Sequence, residues 1–187
     1  MPIPIGKFIS SNVYDNKLKS QHDLTDWKVC RFVNVKGSNE KRKGTSWVNE
    51  LEIETAVAIA GTLHSRGLSF RIITPYDPQK CLLETALKSK KLPSEDKCFN
   101  VDSFQGNEAD YIIISLVRTA KLGFLREDRR ANVMLTRCKK GMVICTNRAF
   151  IAGVAKKSLV GKLAKHVGEK AWIDSQQVRF ANVNPFS

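Results

Sequence analysis

The stretch at residues 101–147, VDSFQGNEADYIIISLVRTAKLGFLREDRRANVMLTRCKKGMVICTN, decides the fold of this chain. Two short apolar runs in it, at residues 111–117 and 142–145, are rich in β-branched residues, as buried parallel strands are. A polar turn with Gln105, Gly106 and Glu108 comes directly before the first run, and a charged helical pattern separates the two runs. This order of turn, strand, helix and strand is typical of a phosphate-handling α/β domain.

The helical pattern between the two runs is amphipathic. On a helical wheel one arc collects four apolar residues: Ala131, Met134, Leu135 and Cys138. We expect this arc to pack on the sheet, with Arg130 and Arg137, seven residues apart, on one flank of it. Gly141 is the predicted residue after the helix end. The arginines are either solvated surface charges or, at an edge of the sheet, groups that reach a ligand or a neighbouring domain.

The rest of the chain alternates between strand and helix patterns. Strands are predicted at residues 27–35, 68–73 and 98–101, and helices at residues 49–65 and from the cap Asp77 to about residue 90. One or two helices are predicted at residues 150–167, whereas residues 172–178 are ambiguous. This alternation predicts parallel βαβ units.

Parallel sheets bind ligands beyond the carboxyl ends of their strands. Thr74 follows the predicted end of one strand, and residues 103–108 follow the end of another. We therefore expect both segments to share one rim of the sheet.

Composition and length fit a compact globular protein. The 187 residues are 42% hydrophobic and 26% charged, and they include no run of 18 apolar residues and no signal-like start. An intracellular protein is predicted, in the nucleus or the cytoplasm. The five cysteines form no C-x-x-C pair and have no histidine at metal-binding spacing, so we predict reduced, packed thiols and no metal site.

The chain is strongly basic, with 31 Lys and Arg against 18 Asp and Glu and a formal charge of +13. Basic residues crowd three segments, at residues 36–43, 88–91 and 156–165. Phosphate contacts by such residues release condensed counterions, so the charge favours nucleic acid over an acidic protein as partner. Because no aromatic residues are interleaved with them, we expect contacts to the backbone with little sequence selectivity.

Several segments together resemble superfamily 1 helicases. VDSFQGNEADYIIISLVRT resembles motif V and DRRANVMLTR resembles motif VI, and both are most similar to the 1B branch that includes the helicase of nonsense-mediated mRNA decay. Upstream, TPYDPQ at residues 74–79 resembles the motif IV region. GTSWVNELEIE at residues 44–54 resembles a serine-x-x-asparagine-x-x-glutamate segment that opens a helix. The resemblance extends from Met1 to about Phe150.

The resemblance implies roles for eight residues. Arg137 matches the arginine that reaches the γ-phosphate of ATP bound between two RecA-like domains, and Arg130 matches a supporting arginine of motif VI. The motif V positions near the nucleotide are Gln105, Gly106 and Glu108. The positions implied to touch the nucleic-acid backbone are Thr74, Pro75 and Ser103.

Two elements of a complete helicase motor do not occur in the 187 residues. They contain no G-x-x-x-x-G-K-[ST] loop and no Asp-Glu pair after an apolar strand. The resemblance assigns both to a first RecA-like domain, which we expect to precede this chain or to come from a partner chain. ATP with Mg²⁺ is the implied cofactor only when that domain is joined, and single-stranded RNA or DNA is the implied track. Alone, the chain is predicted not to hydrolyse ATP.

The expected architecture is a three-layer αβα RecA-like domain with a mainly parallel sheet. It occupies residues 1–155, and residues 156–187 are predicted to form a helical tail that packs on it or extends from it. The alternative function is a non-catalytic nucleic-acid-binding or scaffold module descended from such a helicase. A dinucleotide-dependent oxidoreductase is disfavoured because no G-x-G-x-x-G follows any strand.

Overall fold

A computed structural model describes residues 1–19 and 21–187 of the chain. Its strands are β1 (Cys30–Asn34), β2 (Lys41–Lys43), β3 (Ser46–Val48), β4 (Phe70–Thr74), β5 (Cys98–Asn100), β6 (Ala109–Ser115), β7 (Cys138–Thr146) and β8 (Trp172–Asp174). Its helices are α1 (Ile3–Val13), α2 (Glu50–Ser65), α3 (Asp77–Ser89), α4 (Asp128–Leu135), α5 (Arg148–Ala152), α6 (Leu159–Val167) and α7 (Ser175–Phe180). Strand and helix alternate along the chain, as the sequence pattern predicts.

The centre of the molecule is a six-stranded sheet in the order β5-β4-β6-β7-β1-β8. All neighbouring pairs in it are parallel. The central strand β6 is apolar on both faces, because Ile112 and Ile114 point to one side of the sheet and Ile113 to the other. A strand with this composition is stable only when helices cover both faces.

Helices cover both faces of the sheet and complete three layers. Residues of α1, α4, α5 and α6 pack against Ile112 and Ile114 in one core. Residues of α2, α3 and α7 pack against Ile113 in the other. The predicted α/β class with a three-layer αβα arrangement is therefore confirmed.

The charged helix of residues 128–135 is shorter than the sequence predicts. α4 ends at Leu135, and Cys138 and Gly141 both lie in strand β7. The cause is a long-range hydrogen bond, in which the backbone N–H of Ala109 donates to the carbonyl of Arg137 at 3.1 Å. From this residue onward the chain pairs with β6 and continues as a strand. The prediction of Gly141 as the residue after the helix end is wrong.

Two further details differ from the sequence interpretation. α3 has Tyr76, not Asp77, as its N-cap residue, and the Asp77 carboxylate accepts a hydrogen bond from Asn100 Nδ2 at 2.8 Å. The antiparallel hairpin β2–β3 was not predicted, since its strands are only three residues long. Asn49, the first residue of the predicted helix at residues 49–65, is the N-cap of α2.

Residues 156–187 contribute to the sheet as well as to the helical layers. β8 pairs in parallel with β1, and α7 packs its buried Val178 in the same core as α2. None of the helices formed by the described residues has the length and hydrophobicity of a membrane span.

Candidate nucleotide and nucleic-acid sites

Arg137 lies at the edge of the sheet where strands begin. It directly precedes β7, and Glu108 directly precedes β6. Because Ala109 is paired with Cys138, the two central strands start side by side. The sheet register therefore brings Arg137 next to the turn at residues 105–108, although about thirty residues separate them in the chain.

The guanidinium group of Arg137 is held by neutral oxygens. Nε donates to the carbonyl of Val133 at 2.8 Å, and Nη2 donates to Oγ1 of Thr136 at 2.8 Å. Nη1 donates to the carbonyl of Asn107 at 3.4 Å. No carboxylate forms an ion pair with Arg137 in the part of the chain that the structure describes. The positive charge is thus fixed in position and uncompensated, which suits an anionic ligand.

The turn before β6 presents the other three nucleotide candidates to solvent. Gln105, Gly106 and Glu108 are all exposed. Gly106 has φ +83°, which side chains disfavour, and a Cβ there would meet no atom within 4 Å. The glycine is therefore required by the shape of the turn and not by close packing. Together with Arg137 these residues form an open polar cluster at the amino edge of the sheet.

Arg130 has a different environment from Arg137. Its Nε and Nη2 donate to the two carboxylate oxygens of Asp102 at 3.0 and 2.5 Å, and Nη1 lies 3.3 Å from Glu127. The hydrogen bond with Asp102 raises the pKa of Arg130 above its ordinary value. The predicted common flank for Arg130 and Arg137 is wrong because Arg137 lies beyond the end of α4. Arg130 instead ties α4 to the segment that leads into the turn.

The three nucleic-acid candidates lie at the opposite edge, where strands end. Thr74 is the last residue of β4 and Pro75 follows it, and both are buried. Ser103 is exposed, and its Oγ donates to the carbonyl of Asn100 at 2.9 Å. Asn100 Nδ2 in turn lies 3.3 Å from the carbonyl of Pro75. The structure thus brings these three together, but the expected single rim is wrong because residues 105–108 lead into the amino end of β6.

A buried polar network at the carboxyl end of β6 has no counterpart in the sequence interpretation. Oε2 of Glu52 accepts hydrogen bonds from Ser115 Oγ at 2.6 Å and from the N–H of Val117 at 2.8 Å. Asn49 Nδ2 donates to the carbonyl of Val117 at 3.0 Å. Gln79 Oε1 accepts from the N–H of Asn49 at 2.8 Å, and its Nε2 donates to Ser115 Oγ at 3.0 Å.

The network holds a strained residue. Val117 has φ +69°, a conformation that β-branched residues rarely adopt. Both of its backbone polar groups are bound, by Glu52 and by Asn49. The serine-x-x-asparagine-x-x-glutamate spacing was the signal for this network, because it places Asn49 at the helix cap and Glu52 one turn later.

Burial raises the pKa of the Glu52 carboxyl to about 8, although its hydrogen bonds with Ser115 and Val117 oppose the shift. The folded protein therefore keeps this proton up to about pH 8, whereas the unfolded chain loses it near the ordinary value of 4.5. The stability that this difference contributes is complete below pH 4.5 and is lost as pH rises through 8.

We expect Glu52→Gln to remove this pH dependence, because glutamine keeps an acceptor oxygen without a titrating proton. The stability of the natural protein relative to this variant should fall by a few kcal/mol from pH 5 to pH 8, since each unit of pKa difference corresponds to about 1.4 kcal/mol. Urea unfolding of both proteins at pH 5, 6.5 and 8 measures the difference. Parallel stability curves would contradict the assignment of the titration to Glu52.

Four of the five cysteines are buried, and all five are free thiols. Burial raises the pKa of Cys98 and of Cys138 to about 12. Both residues therefore stay protonated at neutral pH, and the thiolate form that binds metals and reacts with oxidants is rare. Among the described residues, no group of three or more His, Cys, Asp or Glu side chains is placed to hold a metal ion.

Comparison with known proteins gives consistent matches. A family model described as AAA domain matches residues 1–149. An ATP-dependent helicase of Methanocaldococcus jannaschii is 34% identical over 188 residues, which cover 89% of this chain and 28% of that protein. Regulator of nonsense transcripts 1 of Dictyostelium discoideum is 34% identical over 190 residues, which cover 89% of this chain and 14% of that protein. The chain thus spans less than a third of either relative.

A solved structure supports the fold independently. The C-terminal domain of a possible DNA helicase from Lactobacillus plantarum WCFS1 superposes with a TM-score of 0.53 and covers 92% of this chain and 96% of that one. Its sequence identity is 12%, so this likeness concerns the fold alone.

Proposed function

The chain belongs to the AAA domain family and is homologous to superfamily 1 helicases of the nonsense-transcript-regulator type, and we propose that it is the second RecA-like domain of an ATP-dependent helicase. In this proposal the amino edge of the sheet contacts ATP and the carboxyl edge contacts RNA or DNA. The proposed domain core is residues 1–155, and residues 156–187 add β8 to its sheet and α6 and α7 to its helical layers.

The observation that carries the proposal is the fixed, uncompensated charge of Arg137. ATP bound to a first RecA-like domain supplies the phosphoanhydride bond that is cleaved. Arg137 would then stabilise the negative charge that develops on the γ-phosphate, and its three bonds to neutral oxygens would keep the guanidinium oriented. Arg130 acts indirectly, since its ion pair with Asp102 positions the segment that precedes the turn.

The turn at residues 105–108 offers groups that suit the other phosphates and the ribose of the nucleotide. Gly106 exposes backbone without a side chain, and Gln105 and Glu108 offer polar groups that can hydrogen-bond a phosphate or a ribose hydroxyl. No group of three or more His, Cys, Asp or Glu side chains is placed to hold a metal ion among the described residues, and Mg²⁺ at NTPase sites is bound largely by the nucleotide phosphates and by the domain that holds them. We therefore assign the ion to the first domain and derive no step through it.

The carboxyl edge is proposed to contact the nucleic-acid backbone. Ser103 is the accessible member of the predicted set, whereas the Thr74 hydroxyl is buried and has no hydrogen-bond partner among the described residues. Ser103 would therefore make the direct contact, and Thr74 and Pro75 would shape the floor beneath it. The formal charge of +13 favours such a partner.

ATP hydrolysis with and without single-stranded RNA tests the proposal. The 187-residue protein is compared with a protein in which a RecA-like domain containing a G-x-x-x-x-G-K-[ST] loop precedes it. Activity only in the joined protein is the expected result. Turnover by the 187 residues alone would overturn the proposal, and an inert joined protein that still binds RNA would favour the non-catalytic module.

A further inference from the structure

A concentration of exposed positive charge lies on the hairpin β2–β3. Lys41, Arg42 and Lys43 form β2, and all three are exposed. Lys41 is paired with Glu50 at 2.8 Å, whereas the Nε of Arg42 donates only to the carbonyl of Gly44. Within the described residues neither Arg42 nor Lys43 is paired with a carboxylate. The hairpin therefore offers two free cationic groups.

The base of the hairpin is fixed to the domain by a buried ion pair. The carboxylate of Glu40 accepts from Arg118 Nε at 2.9 Å and Nη2 at 3.0 Å, and both side chains are over nine-tenths buried. The same carboxylate accepts the backbone N–H groups of Thr119 at 2.7 Å and Ala120 at 3.0 Å. Trp47 of β3 stacks on the Arg118 guanidinium at 4.2 Å. The hairpin is thus a positioned arm and not a flexible lysine-rich loop.

These attachments place the hairpin at the carboxyl edge of the sheet. Arg118, Thr119 and Ala120 follow the carboxyl end of β6. On the other side of the hairpin, the N–H of Asn49 binds Gln79, in the first turn of the helix that follows β4. The free charges of Arg42 and Lys43 therefore belong to the same edge as Ser103.

We propose that the β2–β3 hairpin is a preformed arm that binds phosphates of single-stranded nucleic acid, with Arg42 and Lys43 as the contacting side chains. This inference rests on the proposed function and extends its nucleic-acid contact beyond Ser103. Arginine and lysine side chains supply the donors that phosphate contacts use, and a positioned arm loses less conformational entropy on binding than a mobile one. The contact carries no sequence information, so binding should not depend on base composition.

The basic segment at residues 88–91 provides a matched control. Lys88 and Lys90 are exposed and lie at the end of α3, which runs from the carboxyl edge to the amino edge. Removing these two charges changes the net charge by the same amount as removing those of the hairpin. Only the position on the domain differs.

The test measures the affinity for fluorescein-labelled single-stranded RNA by anisotropy over a range of salt concentrations. Arg42→Gln with Lys43→Gln is expected to weaken binding about tenfold near 0.15 M salt and to reduce the slope of log K against log salt by about 1.4, since each lost phosphate contact on a single strand accounts for roughly 0.7. Lys88→Gln with Lys90→Gln should change the affinity less than threefold. Circular dichroism establishes that both variants are folded.

The outcomes separate this inference from the proposed function. Measurable RNA binding by the natural protein with an unchanged hairpin variant would overturn the hairpin contact alone. Equal losses in both double variants would also overturn it, because they would indicate a diffuse charge effect. No RNA or DNA binding by the natural protein at low salt would overturn the nucleic-acid part of the proposed function together with this inference.

Discussion

Arg137→Ala is expected to lower ATP turnover at least about 10³-fold in a protein that joins this chain to a RecA-like domain with a phosphate-binding loop. Arginine fingers contribute roughly 10³ to 10⁵ in rate, because they stabilise charge that develops on the transferred phosphoryl group. Arg137→Lys should also be strongly impaired, since lysine keeps the charge but loses the orienting bonds to Val133 and Thr136. Steady-state hydrolysis at saturating RNA measures the effect.

Arg129→Ala is the matched control, because Arg129 is an exposed arginine of the neighbouring helix α4. It should leave turnover within about threefold. RNA affinity should be nearly unchanged in Arg137→Ala, since Arg137 lies at the edge opposite to Ser103. Near-normal hydrolysis by Arg137→Ala would remove this residue from the proposed role. A parallel loss of RNA affinity would instead indicate that the two edges are not separate sites.

The second large effect is expected on stability, from Asn49→Ala. The substitution removes the acceptor that caps α2 through the N–H of Glu52, and it removes the donor to the carbonyl of Val117. Loss of a cap costs about 1 kcal/mol, and leaving a buried carbonyl without a partner costs about 1–3 kcal/mol. We expect a loss of about 2–4 kcal/mol in the free energy of unfolding, measured by urea titration.

Asn49→Ser separates the two contributions, because serine keeps a capping oxygen but lacks the amide donor to Val117. Its loss should be smaller than that of Asn49→Ala if only the donor is missing. Asn39→Ala, at an exposed position of the loop before β2, should change stability by less than about 0.5 kcal/mol. A loss below 1 kcal/mol in Asn49→Ala would show that the network does not hold Val117 in place.

Prediction from the sequence succeeded where the signal is local. The β-branched runs predicted β6 and β7, and the predicted helix at residues 49–65 corresponds to α2. These features depend on residues that are neighbours in the chain, so the local sequence is sufficient to predict them. The order of motifs along the chain was also sufficient to indicate the helicase family.

Prediction failed where hydrogen bonds join distant residues. The heptad spacing of Arg130 and Arg137 suggested one helix flank, but pairing of Ala109 with Arg137 begins a strand there. Likewise, Glu52 and Gln79 belong to one network because both are hydrogen-bonded to Ser115, and Gln79 also accepts from the N–H of Asn49. Each of these hydrogen bonds joins residues that are 30 or more positions apart. Periodicity carries no information on such pairs.

The sequence by itself determined the α/β class, the alternation of strands and helices and the family, because hydrophobic periodicity and motif order are properties of the chain. Only the tertiary structure decided that Arg137 joins the turn at residues 105–108 at one edge while Ser103 lies at the other. It also decided that Arg130 is paired with Asp102 and that the basic hairpin is fixed by Glu40. The physical reason is that strand pairing and buried ion pairs join residues that are far apart in the sequence. Which residues become partners is decided by the packing of the folded chain.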